Sequence, residues 1–216
     1  PELVRKTVEE TVELSEDRKS WLVFSSGVSH AQMLADEFEF HNISVGVVTG
    51  SDGKKTRDQT IADFKSGKLI IVTDAENREN EADLVFAGGS ATQEKLAFMI
   101  RYTSGIICVA IMADRAKKLQ LPQMVTDNQD DKKTAFTVSV DYKVGITTGI
   151  SAQERANTIL ALANDQTKSS DLLRPGHIFP LVASADLLKS RQGHTEAAVE
   201  LCLLTGQKPV GVIAEL

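Results

Sequence analysis

Between two apolar runs, the stretch LIIVTDAENRENEADLVF (residues 69–86) gathers Asp74, Glu76, Arg78, Glu79, Glu81 and Asp83. A run of mixed charge is most often a solvated loop. Carboxylates at this density can also hold a divalent cation and move protons, because acids crowded around a cation have their proton affinities pushed apart. A second stretch, RQGHTEAAVEL (191–201), puts Arg191, Gln192, Gly193, His194 and Thr195 at the start of a helix. Helix-terminal N–H groups attract anions, a glycine lets a ligand approach the backbone, and an arginine adds a forked donor. The segment reads equally well as a phosphate cradle and as an ordinary cap followed by an exposed histidine. A third stretch, RPGHIFPL (174–181), presents His177 after a Pro-Gly turn; a lone histidine is more often structural than catalytic. Together the three hold the parts of a metal-assisted reaction on a sugar phosphate. Mg²⁺ prefers oxygen ligands, keeps several waters and takes few protein ligands, so one Glu and one His would suffice.

The elements that must bring these parts together follow from the hydrophobic pattern. The chain has 216 residues, 42% of them hydrophobic, enough for one large core or one domain with a smaller appendage. A formal charge of -6 argues against a surface that neutralises phosphate backbones, so nucleic acid is an unlikely partner. No apolar run approaches a membrane span, and PELVRKTVEE lacks the apolar region of a secretory signal. Cys108 and Cys202 sit in apolar contexts without CxxC spacing, as in a reducing cytoplasm. The expected location is cytoplasmic.

Val4, Val8 and Val12 recur at helical spacing. Strands are predicted at 21–24 and 43–49, with a helix at 29–38 between them and a turn at 50–55. A helix TRDQTIADFKS follows, ended by Gly67. Beyond the acidic stretch, TQEKLAFMIRYT reads as a helix, GIICVAIMA as a buried strand and TAFTVSVDYK as an alternating strand. SAQERANTILALA carries a capping box, with Ser151 and Glu154 in Ser-x-x-Glu spacing. HIFPLVAS is extended, HTEAAVELCLLTG is a helix ended by Gly206, and PVGVIAEL is a last strand. The rhythm predicts a mixed sheet covered by helices.

These residues also resemble a known family. VTDAENRENEAD, RYTSGIICVAI, TAFTVSVD, GITTGISAQERANTI, SDLLRPGHIFPL, RQGHTEAAVELCLLTG and PVGVIAEL, in that order, look like 3,4-dihydroxy-2-butanone 4-phosphate synthase of riboflavin biosynthesis over about residues 57–216. The resemblance implies an α+β (mixed α/β) three-layer sandwich with a twisted mixed sheet. It implies a lyase that turns ribulose 5-phosphate into a four-carbon ketone phosphate and formate, using Mg²⁺ (or Mn²⁺), as a homodimer with sites near the subunit interface. Carried over residue by residue, Glu79 and His194 match the metal ligands. Arg78 and Asp83 match substrate contacts, and Arg191 to Thr195 the phosphate-binding stretch. His177 and Glu215 match positions needed for catalysis, with Glu81 and Asp83 as further proton-moving acids. Cys108 and Thr137 fall on motifs near that site. Ala75 and Ala82 depart from an acidic residue and a glycine customary in the family. The family usually continues past the Glu-Leu pair, so the resemblance predicts a truncated C-terminus with a frayed Glu215.

The front of the chain, WLVFSSGVSHAQMLADEF and ISVGVVTGSDGKKTRDQTIADFKSGKL, resembles part of the second motor lobe of helicases over about residues 3–70. No Gly-Lys-Ser/Thr nucleotide loop accompanies it. The expected organisation is a helicase-lobe-like strand-helix-strand segment at 1–56 fused to the synthase-like domain at 57–216. Two other functions stay open: a scaffold that keeps the fold without turnover, and a weak single-strand-binding module using Lys54, Lys55 and Arg57.

Overall fold

The computed structural model describes residues 54–74 and 78–216. The elements expected before residue 54, the helicase-like strands among them, lie outside the described residues, as do Ala75 and Glu76. Helix α1 spans Lys54–Lys65, so the expected boundary between 56 and 57 falls inside it. Its end is the predicted one: Gly67 takes φ +84°, and its N–H closes on the Phe64 carbonyl at 2.9 Å.

Six strands form one mixed sheet in the order β1-β2-β6-β3-β5-β4. They are β1 (Ile70–Thr73), β2 (Ala82–Ala87), β3 (Cys108–Ile111), β4 (Val140–Tyr142), β5 (Leu172–Val182) and β6 (Val210–Glu215). Only β3 and β5 pair in parallel; the other neighbours are antiparallel. Strand β2, ADLVFA, is buried along its whole length because helices cover both faces. Leu84 and Phe86 point to one face. There they meet Leu96 and Met99 of α2 (Gln93–Tyr102) and Ile159 and Leu162 of α4 (Ala152–Ala163). Val85 and Ala87 point to the other, where Phe64 of α1 packs with Val199 and Cys202 of α5 (His194–Leu204). This is the expected three-layer arrangement. Gly211 of β6 lets α5 lie close: a Cβ there would stand 2.6 Å from the Cβ of Ala198.

The capping box at α4 forms as predicted, Ser151 accepting from the Glu154 N–H and Glu154 from the Ser151 N–H. The carboxylate of Glu154 also accepts from the backbone and hydroxyl of Thr147, and these bonds hold its pKa down at about 2. Three expectations need correcting. TAFTVSVDYK is not one continuous strand: only Val140–Tyr142 is regular, with single bridges at Thr137 and Phe136. Facing it, the RPGH segment is not a terminal turn but an excursion inside β5. Leu173 pairs with Asp141 and Ile178 with Val140, so residues 174–177 bulge between two adjacent partners. Gly176 makes this possible, since a Cβ there would fall 2.0 Å from the Val140 carbonyl carbon. Helix α3 (Ala113–Lys118) follows β3 where the sequence reading continued the strand to residue 113.

Candidate active site

The acidic loop between β1 and β2 is built on Asp74. Its Oδ2 accepts from Arg78 Nη1 at 2.7 Å and from the Glu79 N–H at 3.1 Å, while Oδ1 accepts from the Glu81 N–H at 2.9 Å. Burial raises the proton affinity of Asp74, but its bonds to the Glu81 backbone, Arg78 and the Glu79 backbone outweigh that and hold its pKa below the usual value. Asn80 closes the turn at φ +56°, a conformation Asn tolerates. One carboxylate of the cluster thus organises the loop, and its bonds leave Glu79, Glu81 and Asp83 turned toward the sheet.

Antiparallel register places Asp83 of β2 opposite Glu215 of β6, and Cys108 of β3 opposite Ile213 two positions earlier on β6. All three lie on the α5 face, at the end of the sheet where α5 begins. The first turn of α5 is buried, and its N-cap, Gly193, offers no side-chain cap to the N–H groups behind it. A cavity of about 230 Å³ opens at this junction. Arg78, Glu79, Glu81 and Asp83 line one side, Arg191, His194 and Thr195 another, and Cys108 and Glu215 the floor. Glu215 is not frayed: its carbonyl accepts from the Ser104 N–H at 2.7 Å, and Leu216 donates to the Ala82 carbonyl at 3.0 Å. A larger groove of about 320 Å³ beside β1 and α5 has apolar walls with one acid, Glu200, and holds none of the predicted site residues.

Electrostatics in the cavity are those of crowded acids. Asp83 is 6% exposed. Burial, then the charges of Glu215, Glu79, Glu81 and Asp74, push its pKa up to about 7. Glu81 is raised by a hydrogen bond to Glu215, with burial and the Glu215 charge adding to it. Cys108 is pushed up to about 12 by burial and then by the charges of Asp83 and Glu215, which makes it a poor thiolate. His194 is lowered by burial, against the pull of Asp74. Its Nδ1 lies 3.3 Å from Asp83 Oδ1, whereas its buried Nε2 makes no hydrogen bond among the described residues. An imidazole held by a carboxylate at one nitrogen and bare at the other has the form of a metal ligand. Among the described residues, no three or more His, Cys, Asp or Glu side chains are arranged as a ready-made metal cage. Glu79 and His194, which line the same cavity, are side chains that could hold a hard cation keeping most of its waters. Glu79 is paired with Arg78 Nη1.

Four predicted site residues do not line the cavity. Gln192 is exposed, and Gly193 is the buried N-cap. Thr137 is fully buried with its hydroxyl donating to the Pro180 carbonyl at 3.1 Å, so it supports the fold rather than facing the cavity. His177 sits in the β5 excursion, with Nδ1 2.7 Å from Asp141 Oδ2 and its N–H donating to Asp141 Oδ1 at 2.9 Å. The sequence reading missed Asp141. It missed Thr134 and Phe136 too, which line the cavity from the segment before β4. A signal for Asp141 was present in TVSVD, an acid ending an apolar alternation.

A model of the 3,4-dihydroxy-2-butanone 4-phosphate synthase family matches residues 58–216. The chain belongs to this family. A 3,4-dihydroxy-2-butanone 4-phosphate synthase of Candida albicans is 49% identical over 159 residues, 74% of this chain and 78% of that protein. Its namesake in Helicobacter pylori is 54% identical over 153 residues, 71% of this chain and 44% of that protein. The riboflavin biosynthesis protein RibBA of Nocardia farcinica is 52% identical over 161 residues, 74% of this chain but 39% of that longer protein. A crystal structure of a 3,4-dihydroxy-2-butanone 4-phosphate synthase in complex with two magnesium ions shares the fold, with a TM-score of 0.73 at 49% identity over 74% of each chain. The family's three-layer fold and the mixed sheet described above agree. Among the described residues, no helix is long and apolar enough to cross a membrane.

Proposed function

We propose that this chain is a lyase of riboflavin biosynthesis that converts D-ribulose 5-phosphate into 3,4-dihydroxy-2-butanone 4-phosphate and formate. The carrying observation is convergence. Acids from residues 79–83, His194 with its bare buried nitrogen and Arg191 border one cavity, in a chain of this family. Glu79 and His194 would hold a divalent cation, Mg²⁺ or Mn²⁺, which when bound supplies Lewis-acid stabilisation of an enediolate. Arg191, Thr195 and the uncapped start of α5 receive the phosphate. Arg78 and Asp83 contact the sugar oxygens.

With a pKa near 7, Asp83 can take a proton at its carboxylate from the carbon beside the carbonyl and return one at neutral pH. Glu81, raised by its hydrogen bond to Glu215, is a further acid for a later proton transfer. The two products account for every atom of the substrate, so the rearrangement consumes neither oxidant nor water.

His177 stands outside the cavity, so we assign its catalytic role to a second copy of the chain in a homodimer. Val144, Ile150 and Leu173, all apolar and exposed, flank the His177–Asp141 pair and offer the surface for that contact. The unpaired, buried thiols of Cys108 and Cys202 suit a reducing compartment such as the cytoplasm.

The test is formate release from ribulose 5-phosphate, with Mg²⁺ and with a chelator. Turnover should require the metal and fall at least about a hundredfold in Glu79→Gln and in His194→Ala. Metal-independent turnover, or full activity in either variant, refutes the assignment.

A further inference from the structure

The guanidinium of Arg191 has five N–H groups in a rigid fork. Its Nε donates to the Lys132 carbonyl at 3.3 Å, Nη2 to the Thr134 hydroxyl at 3.3 Å, and Nη1 to Glu196 Oε2 at 2.7 Å. One N–H remains on each Nη, a pair of donors suited to two oxygens of one anion.

Glu196 is the anchor of this arrangement. It is 1% exposed, and its other oxygen, Oε1, accepts from the Ser184 N–H at 3.0 Å. Gly193 shapes the crossing: a Cβ there would lie 2.3 Å from Arg191 Nη1 and 2.8 Å from Glu196 Oε2. Only a residue without a side chain lets the pair fold across the start of α5. We propose that Glu196 is a positioning residue that acts through Arg191, aiming its two remaining donors at the phosphate of the sugar phosphate. This rests on the reading that Arg191 meets that phosphate.

A carboxylate is required there for a geometric reason. Donors stand at both oxygens, the Ser184 backbone at one and Arg191 at the other. A glutamine accepts from one and turns its NH₂ group against the other, so no amide orientation satisfies both. The backbone donor is fixed within the fold, so Arg191 is the partner that moves. Holding the guanidinium beforehand also removes the ordering cost of a long side chain when the anion arrives.

The experiment measures inorganic phosphate binding by calorimetry, and KM and kcat for ribulose 5-phosphate, in the parent, Glu196→Gln, Arg191→Met and the double variant. Glu196→Gln should weaken phosphate about tenfold, raising KM by a similar factor with a smaller change in kcat. Arg191→Met should weaken phosphate at least as much, and adding Glu196→Gln to it should change the affinity no further. Should Glu196→Gln fail to fold, Glu196→Asp, which keeps the charge but withdraws one methylene, is expected to weaken phosphate in the same order. Parent-like phosphate affinity in the Glu196 variants, or an effect that adds in full to Arg191→Met, overturns the proposal while leaving Arg191 as the phosphate ligand. Parent-like affinity in Arg191→Met removes the phosphate reading itself, and the positioning role with it.

Discussion

Replacing Asp83 with Asn removes one ionisable proton and almost no volume, and the consequence for stability can be worked out from the cavity. The folded protein raises this carboxyl from 3.8 to about 7, through burial first and the surrounding acids second. A carboxyl whose folded pKa lies above its unfolded one contributes stability that is complete below the unfolded value and is lost as pH rises through the folded value. Three units correspond to about 4 kcal/mol lost between roughly pH 4 and pH 7. His194 contributes in the opposite sense. Its folded pKa is lowered, so its share is present above the unfolded value and lost as pH falls through the folded one. Comparing parent and Asp83→Asn, both with chelator, cancels most of that term. Urea unfolding from pH 5 to pH 8 should show the variant gaining on the parent by about 2.5 kcal/mol as pH rises, the share of the loss that falls above pH 5, with turnover lost in the same variant. A difference that stays flat across this range would show that Asp83 is ionised well below neutrality and would remove it as a proton carrier.

Two further perturbations probe the supports of the site. Gly211→Ala puts a Cβ 2.6 Å from the Cβ of Ala198 and 2.9 Å from its carbonyl carbon, so α5 must back away from β6. The expected loss is about 1–3 kcal/mol by urea unfolding, with weakened metal affinity because His194 moves with the helix; unchanged stability would contradict the close packing. Cys108 and Cys202, both pushed up to about 12 by burial, should react with a disulfide reagent only on unfolding, so rapid labelling of Cys108 in the native protein would show that the cavity opens at β3.

What could be read in the sequence was whatever depends on near neighbours. The Ser151–Glu154 box and the glycines at 67 and 206 work over three or four residues, and each forms where its spacing predicts. The site residues came from motifs resembling a family, since nothing local says that position 83 will face position 215. That pairing is a property of strand register over more than a hundred residues. The same limit hid three acids with different duties. Asp74 looks like any carboxylate of its run, yet three hydrogen bonds make it the frame of the loop. Glu196 reads as an unremarked helix residue until α5 turns it toward Arg191, and Asp141 acquires its partner only through the β5 excursion. Thr137, placed near the site by its motif, is fully buried with its hydroxyl on the Pro180 carbonyl, a contact set by the pairing of its segment with β5.

Strand β6 comes last among the six, yet it lies in the middle of the sheet, between β2 and β3. Before residues 210–215 leave the ribosome, the other strands among the described residues form two detached ladders, β1 with β2 and β3 with β5 and β4. A nascent chain at that stage lacks the cavity, and the edges of β2 and β3 that β6 will cover stay open to pairing with other chains. Assembly of the cavity thus waits on the pairing of β6, and chaperone protection would matter most in the interval before that strand is in place.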